Sequence, residues 1–337
     1  MTNHIEDHKM KKIILAGASM AALAMAAPAA AQSSSTVDQT GNGNTADVVQ
    51  DNANASTITQ VGDNNVAGVD QTAGDGNTST ITQTATGANE AGVFQNGLGG
   101  TSTVSQTGDA DGDVAIVVQD VLSVDATASV TQTGNGGGLS GNLALIDQGE
   151  GTNSEANIAQ SGLTNVAESI QRGSDNLSDV NQSGTSGIVF VDQIGDGNTD
   201  LTIQAGDSNI ADVNQGAVGA AVNGSTSTVF QDGLNNSATV NQFADNNESF
   251  IDQSFSGGSL NTAVVNQTGT GNFSAIGQGD TLTSNSNAAD VLQSGNDNIS
   301  FVSQNGDTNS ATVVQSSDTN VSDVIQSGNG NTANVTQ

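Results

Sequence analysis

Cysteine, tryptophan and tyrosine do not occur in this chain of 337 residues, proline occurs once, and aromatic residues make up 2%. The lack of Cys excludes disulfide stapling, thiolate nucleophiles and Cys-based metal sites. The lack of large aromatic groups excludes a conventional core built around Trp, Tyr and Phe. Positive charge is almost missing as well: Lys and Arg total 4 against 35 Asp and Glu, a formal net charge of −31. Such a chain has no clustered Lys and Arg with which to grip nucleic acid or an anionic membrane. Few large apolar groups and high net charge together are the composition of disorder. Order, if present, has to lie in the arrangement of small and polar residues.

Every Lys, His and Met, and the single Pro, lie within residues 1–31. Met10-Lys11-Lys12 is a short positive segment, followed by an apolar run from Ile13 to Ala27, then Pro28 and the small residues Ala29-Ala30-Ala31. This pattern predicts a secretory signal peptide over 1–31, cleaved after Ala31, with Met10 as an alternative start. No second apolar run of membrane-spanning length follows, so the exported chain is expected not to be membrane-embedded. Residues 32–337 keep Arg172 as their one cation and have no His, Cys, Lys or Tyr. Most general bases and nucleophiles are thereby removed, and the carboxylates do not converge, so neither catalysis nor a cofactor is expected.

What remains is periodic. After Gln32, 26 glutamines run from Gln39 to Gln337, and 15 of the 25 intervals between them are 11 residues long. A disordered segment has no physical reason to keep that spacing. Val or Ile stands two residues before the Gln in 24 of 26 cases, Ala or Ser four before in 24, and Asn six before in 19. Each arm reads N-x-(A/S)-x-(V/I)-x-Q-x-G-x-x. Period two puts Asn, Ala/Ser, Val/Ile and Gln on one face of a strand. The Gly and its polar neighbours make the turn, because Gly takes positive φ without steric cost.

A second period lies over the first. Odd arms carry Ser at the small position in 10 of 13 cases, as at Ser35, Ser56 and Ser79; even arms carry Ala in 12 of 13, as at Ala46, Ala67 and Ala91. The unit is two arms, about 22 residues, repeated 13 times over 32–337. This predicts an all-β, amyloid-forming β-solenoid with two strands per coil. Ser and Ala are expected to face one another and keep the sheets close. Stacking at about 4.8 Å gives a rod near 60 Å long, with Gln over Gln and Asn over Asn as in cross-β ladders.

The candidate functional residues are these inward amides: Gln39, Gln50, Gln60, Gln71, Gln83, Gln95, Gln304, Gln315, Gln326 and Gln337, with Asn44, Asn54, Asn65, Asn77, Asn298, Asn309, Asn320 and Asn331. The acids just before Gln, at Asp38, Asp70, Asp147, Asp192 and Asp252, never share a column in adjacent coils, which limits like-charge repulsion. Longer turns are expected around 107–148, 216–224, 254–260 and 279–286. The first arm opens close to the cleavage site and the last ends on Gln337. Open strand edges are therefore expected at both ends, the starting point of a homopolymer.

The segments STVDQTGNGNTADVVQ (Ser35 to Gln50), STITQVGDNNVAGVDQ (Ser56 to Gln71) and SFVSQNGDTNSATVVQ (Ser300 to Gln315) resemble the curlin repeat of bacterial curli fibre subunits. The resemblance covers essentially all of 32–337. It implies a secreted subunit of an extracellular amyloid fibre in the biofilm matrix, exported through the periplasm and a curli-type outer-membrane pore. It further implies self-association, a nucleator subunit as partner, and a part in polymerisation for the inward Gln and Asn.

Rival readings remain open at this stage. Turns such as GDNN (Gly62 to Asn65), DADGD (Asp109 to Asp113) and GDGN (Gly195 to Asn198) offer oxygen ligands for calcium. Against that, the period is eleven and Asp is intermittent, where calcium-binding rolls keep Asp in every nine-residue turn. Outward pairs Thr57/Thr59, Thr80/Thr82, Thr103/Ser105 and Ser129/Thr131 make a hydroxyl strip that suits ice or another surface, though Thr is also ordinary on exposed strands. A soluble, monomeric β-solenoid adhesin is the main alternative to a fibre subunit. Outward Phe94, Phe190, Phe230, Phe250 and Phe301 are candidates for lateral or adhesive contacts, and Arg172 for a turn ion pair.

Overall fold

A computed structural model describes residues 32–84, 87–108, 112–134, 141–217, 219–253, 258–279 and 285–337. The expected signal peptide at 1–31 lies outside the described residues, as do parts of the expected long turns. Successive arms do not pair with each other. Ser34–Thr40 pairs in parallel with Ala55–Val61, while the arm between them, Thr45–Gln50, pairs with Val66–Gln71. Repeated along the chain, this rule builds two parallel sheets of 13 strands each. One carries the Ser column and the other the Ala column; we call them the serine and alanine sheets. No helix occurs among the described residues. The chain is the two-strand-per-coil β-solenoid that its double period implies.

Register follows the Gln column: Gln39 aligns with Gln60, Gln60 with Gln83, and Gln83 with Gln106. A one-residue slip would turn every Val or Ile outward, so burial of one face fixes the pairing. In interior strands such as Thr262–Gln267, burial alternates strictly. The core is a ribbon of one Ala or Ser and one Val or Ile per arm, with Ile58, Ile81, Ile146, Ile251 and Ile276 fully enclosed.

The facing pattern differs from the one expected. Gln83 Nε2 donates to the carbonyls of Val66 and Asn89, which begin strands of the opposite sheet. The Gln end of one arm therefore meets the Asn end of the other. That places each small residue across from a Val or Ile, not Ser across from Ala. Small against large keeps the summed volume constant along the rod, which close packing requires.

Turns such as those after Gln60, Gln171, Gln182 and Gln304 hold two left-handed residues. The first is the Gly two places after Gln, such as Gly184 (φ 116°). A Cβ there would lie 2.0 Å from the Gly206 carbonyl oxygen of the next coil, so conformation and coil spacing both demand glycine. The second precedes the inward Asn and is held by many residue types, among them Asn64 (φ 61°), Asp175 (φ 57°), Thr308 (φ 58°) and Leu260 (φ 61°).

Within 107–148 the strands Val114–Gln119, Thr127–Gly134 and Leu143–Gln148 keep the regular pattern. Of the extra residues, Ser123–Val124 forms a minor ladder at the turn edge by pairing with Gly151–Thr152. In the 216–224 insertion, Ala217 and Ala220 exchange backbone hydrogen bonds, and buried Val222 rejoins the stack through its N–H to Ile194 O, 2.8 Å.

Candidate assembly surface: the amide ladders

Both Gln columns are unbroken hydrogen-bonded chains. In the serine sheet, Nε2 of each Gln from Gln39 to Gln304 donates to Oε1 of the Gln one coil further on, at 2.6–3.0 Å. The alanine sheet does the same from Gln50 to Gln315, at 2.5–3.1 Å. From Gln60 onward the second N–H of the amide reaches a carbonyl across the core, as Gln60 to Thr45 and Gln71 to Ala55 do. Gln60, Gln71, Gln83 and Gln95 are thus fully buried with donors and acceptors met, the condition under which a buried amide is tolerated.

Coil boundaries decide which amides are left open. Gln39 is exposed in the first coil, where Val37 also shows 46% of its surface. At the other end Gln326 Nε2 donates to Ser310 O and Gln337 Nε2 to Val321 O, and each keeps one amide hydrogen without a further Gln to bond. Acceptors therefore face one way along the rod and donors the other.

The Asn column runs in the opposite sense and is interrupted. Oδ1 of Asn44, Asn54, Asn298 and Asn309 accepts the backbone N–H of Asn65, Asn77, Asn320 and Asn331, at 2.8–3.0 Å. Their Nδ2 groups tie turn carbonyls, as Asn44 does to Gly62 O. Gly100 and Gly187 break the column, while Ser154 and Ser225 imitate Asn by accepting N–H from Asn176 and Asn247. Asp113, the last residue of the DADGD turn, belongs to this column: it accepts Asn142 N–H at 2.8 Å, and burial pushes its carboxyl above the ordinary range. Asp109 and Asp111 lie outside the described residues.

Turn carboxylates form a third ladder that the sequence did not reveal. Oδ1 of Asp63, Asp196, Asp245 and Asp318 accepts backbone N–H from Asn42, Ser174, Asn223 and Asn296 in the preceding coil, at 2.7–2.9 Å. These acids work as links between turns. Among the described residues no group of three or more acidic or His side chains gathers where a metal could be held.

The outer faces are zoned. On the serine sheet, Thr57, Thr80, Thr103 and Ser129 align in one column and Thr59, Thr82, Ser105 and Thr131 in a second. Further along, Phe230 meets Phe250 at 5.8 Å and Phe273 meets Phe301 at 5.5 Å. The alanine sheet stacks Val114, Leu143, Val166, Ile188 and Ile210. Acids separated along a column still meet diagonally here. Burial and then the charges of Asp147 and Asp192 push Glu168 upward; burial does the same for Asp192, with Arg172 opposing it. Arg172 pairs with Asp192 at 3.8 Å, both partly exposed, so the pair contributes little stability.

The serine column itself is costly. Ser56, Ser79, Ser102, Ser178, Ser249, Ser274, Ser300 and Ser322 are buried, with hydroxyls that meet no hydrogen-bond partner. At one coil spacing they are too far apart to bond each other. Their counterparts in the other sheet are Ala, except for Val189 in the coil of Ser178.

The family model of the curlin associated repeat matches residues 52–84, 151–184, 223–254, 284–316 and 306–337. No curated protein matches the chain. The matched stretches lie at the start, middle and end of one continuous pair of sheets and each contains the Gln, Val/Ile and Asn columns described above. The chain belongs to the curlin-repeat family, whose β-solenoid is a structural fold.

Proposed function

We propose that this chain is a structural subunit of an extracellular curli-like amyloid fibre that is secreted, lengthens end to end, and serves biofilm matrix and surface adhesion. The observation that carries this reading is the one-way sense of the Gln ladders. In the Gln columns any cross-section of the rod has an acceptor side and a donor side, and each parallel strand edge carries N–H and C=O groups that the edge of a further coil can pair. Joining unlike faces of identical units gives a contact that repeats without closing, which is a filament. A nucleating subunit and an outer-membrane pore are the partners this reading calls for; nucleic acid is not among them.

Purified 32–337 should pass through a lag and then form thioflavin-binding fibres with a reflection near 4.7–4.8 Å. Added seeds should remove the lag. Gln337→Lys should slow elongation from seeds at least tenfold, while the outward Thr103→Lys leaves it within twofold. Monomer that persists at high concentration in the presence of seeds would overturn the proposal in favour of a soluble adhesin.

A further inference from the structure

One strand breaks the core pattern twice. In Thr199–Gln204, the strand of coil eight in the serine sheet, Asp200 stands in the Ser column and Thr202 in the Val/Ile column. Both are 0% exposed. Thr202 Oγ1 lies 3.1 and 3.3 Å from the two carboxyl oxygens of Asp200. Ser178 lies below Asp200 and Ser227 above it. The strand faces Ile188–Ile194 and Ile210–Gln215, since Gln204 Nε2 reaches Ile188 O and Gln215 Nε2 reaches Thr199 O.

No cation meets this carboxyl. The strand below carries Asp179 and the strand above no titratable group; the facing strands carry Asp192 and Asp212, each at an outward position. Its surroundings are hydroxyls, aliphatic groups and, further off, negative charge. An ionised carboxylate in that setting is strongly disfavoured, while a protonated one can donate to a neighbouring hydroxyl.

We infer that coil eight is a proton-gated joint in the rod: it closes fully when the Asp200 carboxyl holds its proton and opens locally when that proton leaves. Burial is the largest influence and pushes the group up to about 7; the Thr202 and Ser227 hydroxyls draw it partly back, and Asp179 adds to the rise. In an opened coil the carboxyl returns to its ordinary value of 3.8. The folded value lies above the open one, so closure is strongest below pH 4, weakens as pH rises to about 7, and is level beyond that. Linkage makes the weakening tenfold per pH unit, about a thousandfold over the window.

The test compares hydrogen exchange in the full-length chain with that of Asp200→Ser, which restores the column residue, at pH 4 and pH 8. Comparing variants at one pH cancels the intrinsic dependence of exchange. Peptides covering 199–215 should exchange alike at pH 4 and at least a hundredfold faster in the native chain at pH 8. Asp200→Asn, in case Ser repacks poorly, should behave like Asp200→Ser, and Asp179→Asn should keep the native step. Infrared difference spectra at pH 6 should show a protonated carboxyl band that Asp200→Asn lacks. A native-to-variant ratio equal at both pH values, or the absence of that band, would overturn the inference. These signals are read on single chains, so a failure to form fibres would not disturb them. The consequence that mild acid hastens fibre growth rests on the proposed function.

Discussion

A glutamine amide has two donors and an acceptor with two lone pairs, and burying it is favourable only when they are used. Here stacking at the coil spacing uses them, which explains why spacing alone made the Gln column legible: an amide ladder tolerates no missing rung. Its direction was not legible, because the same side chain donates at one end and accepts at the other. The Ser column shows the reverse situation. Replacing Ser249 or Ser274 by Ala removes a buried hydroxyl without a partner and should raise stability by about 1 kcal/mol each. Gln160→Met, by contrast, leaves Gln132 Nε2 without its acceptor and deprives Gln182 Oε1 and Leu143 O of their donor. A loss of about 2–5 kcal/mol is expected. Urea melts of the three variants read both signs.

At the scale of the turn, the sequence exposed one left-handed position and concealed the other. Glycine two residues after Gln is visible because the next coil leaves no room for a Cβ. At the position before the inward Asn a Cβ meets side-chain atoms of the next coil or nothing at all, as at Gly43 and Gly197, and no backbone carbonyl blocks it; Asn, Asp, Ser, Thr and even Leu260 occupy it, and no single residue type marks it. The difference predicts opposite responses. Gly184→Ala should cost about 3 kcal/mol or more, since backbone must shift to admit the methyl group. Thr308→Asn should gain a few tenths to about 1 kcal/mol, since Asn accepts the left-handed region more readily than Thr. Thermal melts of both, with a far-ultraviolet spectrum to verify the sheets, decide the matter. The acids of the turns escaped the sequence reading for a related reason. Asp63 or Asp196 looks like a solvated spacer until the preceding coil brings an N–H to it.

For the whole molecule, electrostatics and packing pull apart. Outside residues 1–31 only Arg172 offsets the acids. Several carboxyls on the outer faces, among them Glu168, Asp192, Asp212 and Asp290, are held above their ordinary values, with burial as the first cause in each. Raised folded-state values mean that the folded rod binds protons more tightly than the open chain. Stability should therefore be greatest near pH 4 and fall as pH climbs toward neutrality. Added salt at pH 7.5 should raise the melting temperature by screening the surface charge. A melting temperature indifferent to salt, or one that rises with pH, would contradict this account. The parallel architecture and the register were readable because two periods coincide over 13 repeats; the facing of small against large residues was not, because it depends on how the turn offsets one sheet against the other.

One consequence of the ladder geometry extends beyond any single molecule. Because every glutamine amide in both sheets is oriented alike, their dipoles add along the axis, and the two tips of the rod are chemically distinct. In the glutamine columns the amide oxygens face one way along the axis and the N–H groups the other. A filament assembled from such rods would have a fast tip and a slow one, and its direction would be inherited from the first subunit laid down.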